Sequence, residues 1–133
     1  MSVFCLSADE TVRYWSDFKH HLERLEREGG LVLASEIRAD LAASRKQLWG
    51  WKGDDILGVA VTQIIQTPKG PCCWIYGAAG TESQKGQIDA IMASIEAWAQ
   101  SIGCSRVMLQ GRHGWRRRLD GYKDVGVILE KEF

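Results

Sequence analysis

Six apolar residues, Ile88, Ile91, Met92, Ile95, Trp98 and Ile102, recur at i, i+3, i+4, i+7, i+10 and i+14. Side chains three and four apart stack on one face of an α-helix, so this spacing predicts a long amphipathic helix with a single apolar stripe. Thr81-Glu82-Ser83-Gln84 ahead of it has the form of a capping box, and Gly103 marks its end. The β-prone run Cys72-Cys73-Trp74-Ile75-Tyr76 precedes the helix, and a short strand at 106–110 follows it. Gly111 breaks that strand, residues 113–119 read as a short helix, and 125–131 alternate apolar and polar as a closing strand. The order is strand, glycine-bearing loop, long helix, strand, short helix, strand.

The first half is read in the same way. Ser7-Ala8-Asp9-Glu10 is a capping box opening a helix whose stripe is Val12, Trp15, Phe18, His21 or Leu22, and Leu25, with Gly29-Gly30 as its stop. Leu31-Val32-Leu33 is too short to assign. Ser35 can cap a second, shorter helix holding Ile37, Leu41 and Ala42. Residues 47–51 and 56–66 are β-prone runs joined by Lys52-Gly53-Asp54-Asp55, and Thr67-Pro68-Lys69-Gly70-Pro71 turns the chain into the run at 72–76. Three antiparallel strands in meander order thus occupy the middle. No internal repeat or linker interrupts the chain, so residues 1–133 are expected to form one domain.

Composition narrows the function classes. Lys plus Arg and Asp plus Glu both total 17, and zero net charge disfavours a nucleic-acid partner held by bulk charge. No run of apolar residues is long enough for a membrane span, and no signal peptide is recognised, so a cytoplasmic protein without membrane contact is expected. Cys5, Cys72, Cys73 and Cys104 include no C-x-x-C, and His20, His21 and His113 have no ligand spacing. They read as reduced thiols and ordinary imidazoles, with no metal site. Six tryptophans are many for 133 residues, and the need of each indole N–H for a partner points several of them to a groove or interface.

Two helices, a three-strand meander, then helix, strand, helix, strand resembles the element order of the GNAT (GCN5-related N-acetyltransferase) superfamily. Ala97-Trp98-Ala99 with Gly103-Cys104-Ser105-Arg106-Val107 is similar to the family's helix-to-strand passage. Gly121-Tyr122-Lys123-Asp124-Val125-Gly126 leading to Leu129-Glu130-Lys131-Glu132 is similar to its usual ending. Gly111-Arg112-His113-Gly114-Trp115 resembles small phage- and prophage-encoded GNAT-like proteins most closely. The resemblance implies an α/β (α+β) GNAT-like fold, with a central mixed, mostly antiparallel sheet flanked by helices, and acetyl-CoA as cofactor.

In that family the loop and first turn of the long helix hold the pyrophosphate. Backbone N–H groups and the helix dipole face the anion, and small residues let it approach. The family pattern is Arg or Gln, two residues, Gly, one residue, then Gly or Ala. The matching window here is Ser83-Gln84-Lys85-Gly86-Gln87-Ile88, in which only Gly86 conforms; a shift by one makes Gln84 the first residue but puts Gln87 at the glycine position. The resemblance places cofactor contacts at Gly80, Gln84, Lys85, Gly86 and Gln87. It makes Tyr122, or Tyr76 on the strand before the loop, the tyrosine that returns a proton to the thiolate.

Arg112-His113-Gly114-Trp115-Arg116-Arg117-Arg118 is the densest basic cluster, read as a short helix with Trp115 and Leu119 inward and the arginines solvated. Three functions stand, and the degenerate loop and the tryptophan count favour the first, with the second as its alternative. One is a binding or assembly module of GNAT fold, plausibly phage-derived, with weak or lost acetyl-CoA chemistry and a protein partner or homo-oligomer. The second is an active acetyl-CoA-dependent N-acetyltransferase acting on a small or protein amine. The third, a nucleic-acid-associated protein using the arginines, is disfavoured by the charge balance.

Overall fold

The structure is a computed structural model, which describes residues 2–29, 31–52, 56–80, 85–110 and 119–133. Its strands are β1 (Ser2–Leu6), β2 (Gln47–Lys52), β3 (Ile56–Thr67), β4 (Gly70–Gly80) and β5 (Arg106–Leu109). Its helices are α1 (Ala8–Arg13), α2 (Trp15–Gly29), α3 (Ile37–Ala42) and α4 (Lys85–Ser101). The five strands form one sheet in the order β1-β2-β3-β4-β5. Its first four strands are antiparallel, and β5 lies parallel to β4. That parallel pair requires a crossover, which α4 supplies. The expected mixed, mostly antiparallel sheet flanked by helices is what the chain forms.

The alternation of side chains along each strand builds two cores. Leu48, Val59, Val61 and Ala79 pack on one face against Phe18, Leu22 and Leu25 of α2 and Ile37 of α3. Trp49, Trp51, Ala60, Cys73 and Ile75 pack on the other face against Ile91, Met92, Ile95 and Ala99 of α4. The sheet is therefore a septum, with α1, α2 and α3 on one side and α4 on the other. Among the described residues, no helix is long and apolar enough to cross a membrane.

The capping box at Ser7 forms as expected: Ser7 Oγ accepts from the Glu10 N–H at 3.1 Å, and the Glu10 carboxylate accepts from the Ser7 N–H at 3.0 Å. The helix it opens does not run through. It closes at Tyr14 and restarts as α2, which turns the stripe out of phase, so Val12 is 54% exposed while Phe18 and Leu22 are fully buried. Ser35 is not a cap. It lies in a 3-10 turn, Ala34–Glu36, with no side-chain cap bond, and the Glu26 carboxylate of α2 instead accepts from the Ala34 N–H at 3.0 Å.

Ile91 and Ile95 of the long helix are buried, but Ile102 is 48% exposed because the helix ends at Ser101 and Gly103 turns away at φ +90°. The cap expected at 81–84 and the short helix at 113–118 lie outside the described residues. The segment 125–131 is not a strand: it has no regular structure, its apolar side chains are in solvent, and among the described residues the sheet stops at β5. Trp49 and Trp51 are not groove residues but core. Trp49 meets the need for a partner inside the sheet, its Nε1–H donating to Thr62 Oγ1 at 3.0 Å while the Thr62 hydroxyl donates to Gln47 Oε1 at 2.9 Å.

One ion cluster secures the approach to β2. Asp40 accepts from Arg45 Nε and Lys46 Nζ, each at 3.0 Å. Burial pushes the Asp40 carboxyl upward, but the hydrogen bonds and charges of Arg45 and Lys46 outweigh it and hold the group below the usual carboxylate range. A depressed folded-state pKa contributes stability above the unfolded value, about 3.9, and loses it as pH falls through the folded value. Asp40→Asn is thus expected to cost about 1–2 kcal/mol at neutral pH in denaturant unfolding, with the gap between variant and parent closing at acid pH below the usual carboxylate range.

Candidate functional site

The β3–β4 ladder contains one irregularity. Val61 faces Gly77 and Thr62 faces Ile75, so Tyr76 is an extra residue bulged out of β4. A bulge turns backbone groups out of the ladder and occurs where a sheet must present them to something else. Pairing with β5 stops at the same level, at Ile75 and Leu109. Beyond it β4 runs on through Gly77-Ala78-Ala79-Gly80, paired with β3 on one edge and with no described residue on the other. Four small residues along a free edge leave room for a narrow, extended group to lie against the backbone.

Helix α4 begins at Lys85, five positions after Gly80 ends β4. Its first turn holds no acidic residue, whereas α1 carries Asp9 and Glu10, α2 carries Asp17, and α3 carries Asp40 in the same place. The positive end of a helix of 17 residues is thus left without an internal carboxylate. Arg24 adds charge from the other side of the sheet: its Nη1 donates to the Gly80 carbonyl at 3.2 Å while its Nε pairs with Glu28 at 3.0 Å. In the sequence Arg24 is one of several charges on the solvated face of α2, and nothing there marks it as reaching β4.

The two tyrosines lie on opposite faces of the sheet. Tyr76 packs against the α2-side core and its hydroxyl donates to Gln63 Oε1. Trp74 meets its ring edge-on at 6.5 Å, and Lys46 Nζ, held by Asp40, stands 5.5 Å from the ring centre. Tyr122 packs on the α4 side and donates to Glu96 Oε1 at 3.2 Å. Burial, then the Glu96 carboxylate, pushes the Tyr122 hydroxyl well above its ordinary value. Glu96 is three turns of α4 beyond Lys85, about 16 Å along the axis, so Tyr122 and the helix start are well separated.

The other expected contacts divide by position. Gly80 closes β4; Lys85, Gly86 and Gln87 form the first turn of α4; Gln84 lies outside the described residues. Gly80 thus closes β4 four residues beyond the bulge, and the first turn of α4 follows it in the chain after 81–84. Two features unseen in the sequence stand at this end of β4 and β5, Arg24 on the Gly80 carbonyl and Gln110. The latter directly follows β5 and keeps a buried Oε1 without a hydrogen-bond partner among the described residues. Burial pushes the Cys73 thiol up to about 12, which leaves it inert as a nucleophile beside this site.

These parts fit a CoA thioester. A strand edge of small residues unpaired among the described residues suits an extended amide chain, a helix start whose own first turn carries no acid suits a pyrophosphate, and an orphaned amide oxygen can accept from an amide N–H.

A four-stranded antiparallel sheet extended by a parallel fifth strand through a long helix, with helices on both faces, matches the fold of the GNAT acetyltransferases. Solved structures of that class superpose over nearly the whole chain. A GCN5-related N-acetyltransferase from Ralstonia eutropha JMP134 matches with a TM-score of 0.73 at 15% identity, covering 98% of this chain and 97% of the other. An aminoglycoside acetyltransferase, meta-AAC0020, from an uncultured soil metagenomic sample and in complex with sisomicin, matches with a TM-score of 0.77 at 10% identity, covering 99% and 95%. A predicted acetyltransferase with acetyl-CoA from Clostridium acetobutylicum matches at 0.73 and 13%, covering 98% and 95%. No protein-family model matches the chain, and no curated protein matches it by sequence. At these identities the likeness speaks for the fold.

Proposed function

We propose that this protein, as a single domain over residues 1–133, binds acetyl-CoA and transfers its acetyl group to an amine. The observation that carries the reading is the coincidence of the β4 bulge at Tyr76 with the level at which β5 stops pairing. There the extra residue steps out of the regular ladder, and its backbone amide is assigned to polarise a carbonyl oxygen. Acetyl-CoA bound at that edge supplies an activated acetyl thioester.

Gly80, Gln84, Lys85, Gly86 and Gln87 are assigned to the pyrophosphate, with the α4 amides as donors and Arg24 as a nearby cation. The Tyr76 backbone is assigned to the acetyl carbonyl, and the Tyr76 hydroxyl, oriented by its hydrogen bond to Gln63 Oε1, to the proton that the leaving thiolate takes up, the proton shed by the acylated amine then restoring the phenol. Tyr122 is the alternative donor. Its hydroxyl holds its proton tightly against Glu96, which suits a brace for α4 better than an acid.

A second reading is a GNAT-fold binding module whose acetyl-CoA chemistry is weak or lost. It is favoured by Ser83 and Ile88, which depart from the family's loop pattern. Kinship with phage-encoded proteins belongs to this reading and rests on Gly111-Arg112-His113-Gly114-Trp115, outside the described residues. Dependence on acetyl-CoA would place the transferase form in the cytoplasm.

The test is release of CoA thiol from acetyl-CoA in the presence of an amine panel that includes aminoglycosides, since aminoglycoside acetyltransferases are among the neighbours. Amine-dependent release supports the first reading, and its absence across the panel with acetyl-CoA bound supports the second. Tyr76→Phe is expected to slow transfer at least tenfold. Tyr122→Phe is expected to leave the rate unchanged and to cost about 1 kcal/mol of stability. The reverse pattern would reassign the proton donor to Tyr122.

A further inference from the structure

Lys46, Gln63, Trp74 and Tyr76 form one patch on the α2-side face of the sheet. Lys46 lies two residues before Leu48 and Gln63 two after Val61, and both share the face of those core residues. Tyr76 meets the other three. Its hydroxyl donates to Gln63 Oε1, Trp74 stands edge-on to its ring at 6.5 Å, and Lys46 Nζ is 5.5 Å from the ring centre. All four residues are half-buried, so the patch is walled by protein and still open to a small molecule.

The cations here outnumber the carboxylate they share. Strands β2, β3, β4 and β5 contain no aspartate or glutamate. Asp40 of α3 reaches the patch, but it accepts from both Arg45 Nε and Lys46 Nζ, each at 3.0 Å. Two cations on one carboxylate leave one positive charge over, and Asp40 takes up only one of the donors of the Lys46 ammonium. The Lys46 side chain is 17% exposed against 58% for Arg45, so its charge is the less screened by solvent.

We propose that the amine accepted at this site also carries a carboxylate, as a free amino acid does, and that Lys46, backed by Arg45, holds that carboxylate beside Tyr76. On the acetyl-transfer reading, on which this rests, the acetyl carbonyl lies at the Tyr76 backbone and the phenol at the departing thiolate. In an α-amino acid the carboxylate and the nitrogen are borne on one carbon, so pinning the first at Lys46 also orients the second. Trp74 adds an apolar wall for the side chain of such an acceptor. The same surplus charge opposes a polycation, whose ammonium groups would meet a cluster with its carboxylate already shared. The likeness to an aminoglycoside acetyltransferase is thus one of scaffold, and the acceptor differs.

The test is steady-state acetylation of phenylalanine and of phenylalaninamide, which lacks the carboxylate, read as CoA thiol released from acetyl-CoA. Comparing parent with variant for each acceptor cancels the acceptors' own reactivity. Lys46→Met leaves Asp40 paired with Arg45, so the fold is retained. It is expected to raise KM for phenylalanine about tenfold, the worth of a charged hydrogen bond, while KM for the amide stays put. Lys46→Arg, which keeps the charge, is expected to restore most of the loss. Arg45→Gln, at an exposed position, is expected to lower the preference for phenylalanine about threefold. An aminoglycoside and spermidine are expected to be poorer acceptors than either. A Lys46→Met loss shared equally by both acceptors would make Lys46 a structural brace and overturn the proposal. Turnover that favours the aminoglycoside or spermidine would overturn it too, with acetyl transfer itself intact. No turnover of any amine would overturn the transfer reading and the proposal together.

Discussion

Replacing Gly58 by alanine is expected to lower the unfolding free energy by about 3 kcal/mol, the upper part of the range for overpacking a rigid core. An added Cβ at Gly58 would lie 2.1 Å from Trp51 Cζ2 and 2.6 Å from both Cε2 and Cη2, far inside contact distance. The indole cannot retreat cheaply, because Trp51 is only 3% exposed and belongs to the core beneath α4. Trp51, Gly58 and Gly80 also stand in one row across β2, β3 and β4, so displacement of the indole acts on the strand end from which the loop to α4 departs. Thermal unfolding should show the loss as a drop of roughly 10 °C. Adding Trp51→Leu to the variant should recover part of it, since the two substitutions share one contact and cannot be additive. A Gly58→Ala protein as stable as the parent would mean that the indole does not lie over this glycine.

Gly86→Glu is expected to abolish acetyl-CoA binding while leaving the fold intact. Position 86 is the second residue of α4. Glutamate is a better helix former than glycine, and a carboxylate in the first turn is favoured by the helix dipole, so the unliganded variant should melt no lower than the parent. The same carboxylate competes for the amides that would face a pyrophosphate and repels the anion. An affinity loss of at least a hundredfold, about 2.7 kcal/mol, is expected. Binding retained by the variant would move the cofactor away from α4.

The parts of the fold with strong local periodicity were legible in the sequence. The apolar series at 88–102 marked α4, and the turn residues at 67–71 marked the meander. The Ser7 capping box formed bond for bond. What was illegible depends on partners distant in the chain. β1 is five residues that become a strand only by pairing with β2, so no local pattern announces it. The break at Tyr14 and the burial of Trp49 and Trp51 result from how α2 and α4 settle on the sheet. The alternation at 125–131 is that of a strand, yet a strand forms only when it is paired, and this segment pairs with none of the described residues.

The site divides in the same way. Gly86 and its neighbours are proposed for the site by comparison with a motif alone. The bulge at Tyr76 is a register event, and the Arg24 contact with Gly80 joins residues 56 positions apart, so neither leaves a local trace. The separation of Tyr76 and Tyr122 onto opposite faces was equally hidden, because the bulge alters the count of residues along β4.

The most direct measurement is a thermal-shift titration of the parent protein with acetyl-CoA and CoA, with Gly86→Glu in parallel. A ligand at a hundred times its dissociation constant stabilises the folded state by about 2.7 kcal/mol, so a saturable rise in the melting midpoint is predicted for the parent and none for the variant. A parent protein whose midpoint does not move at millimolar acetyl-CoA would contradict the account.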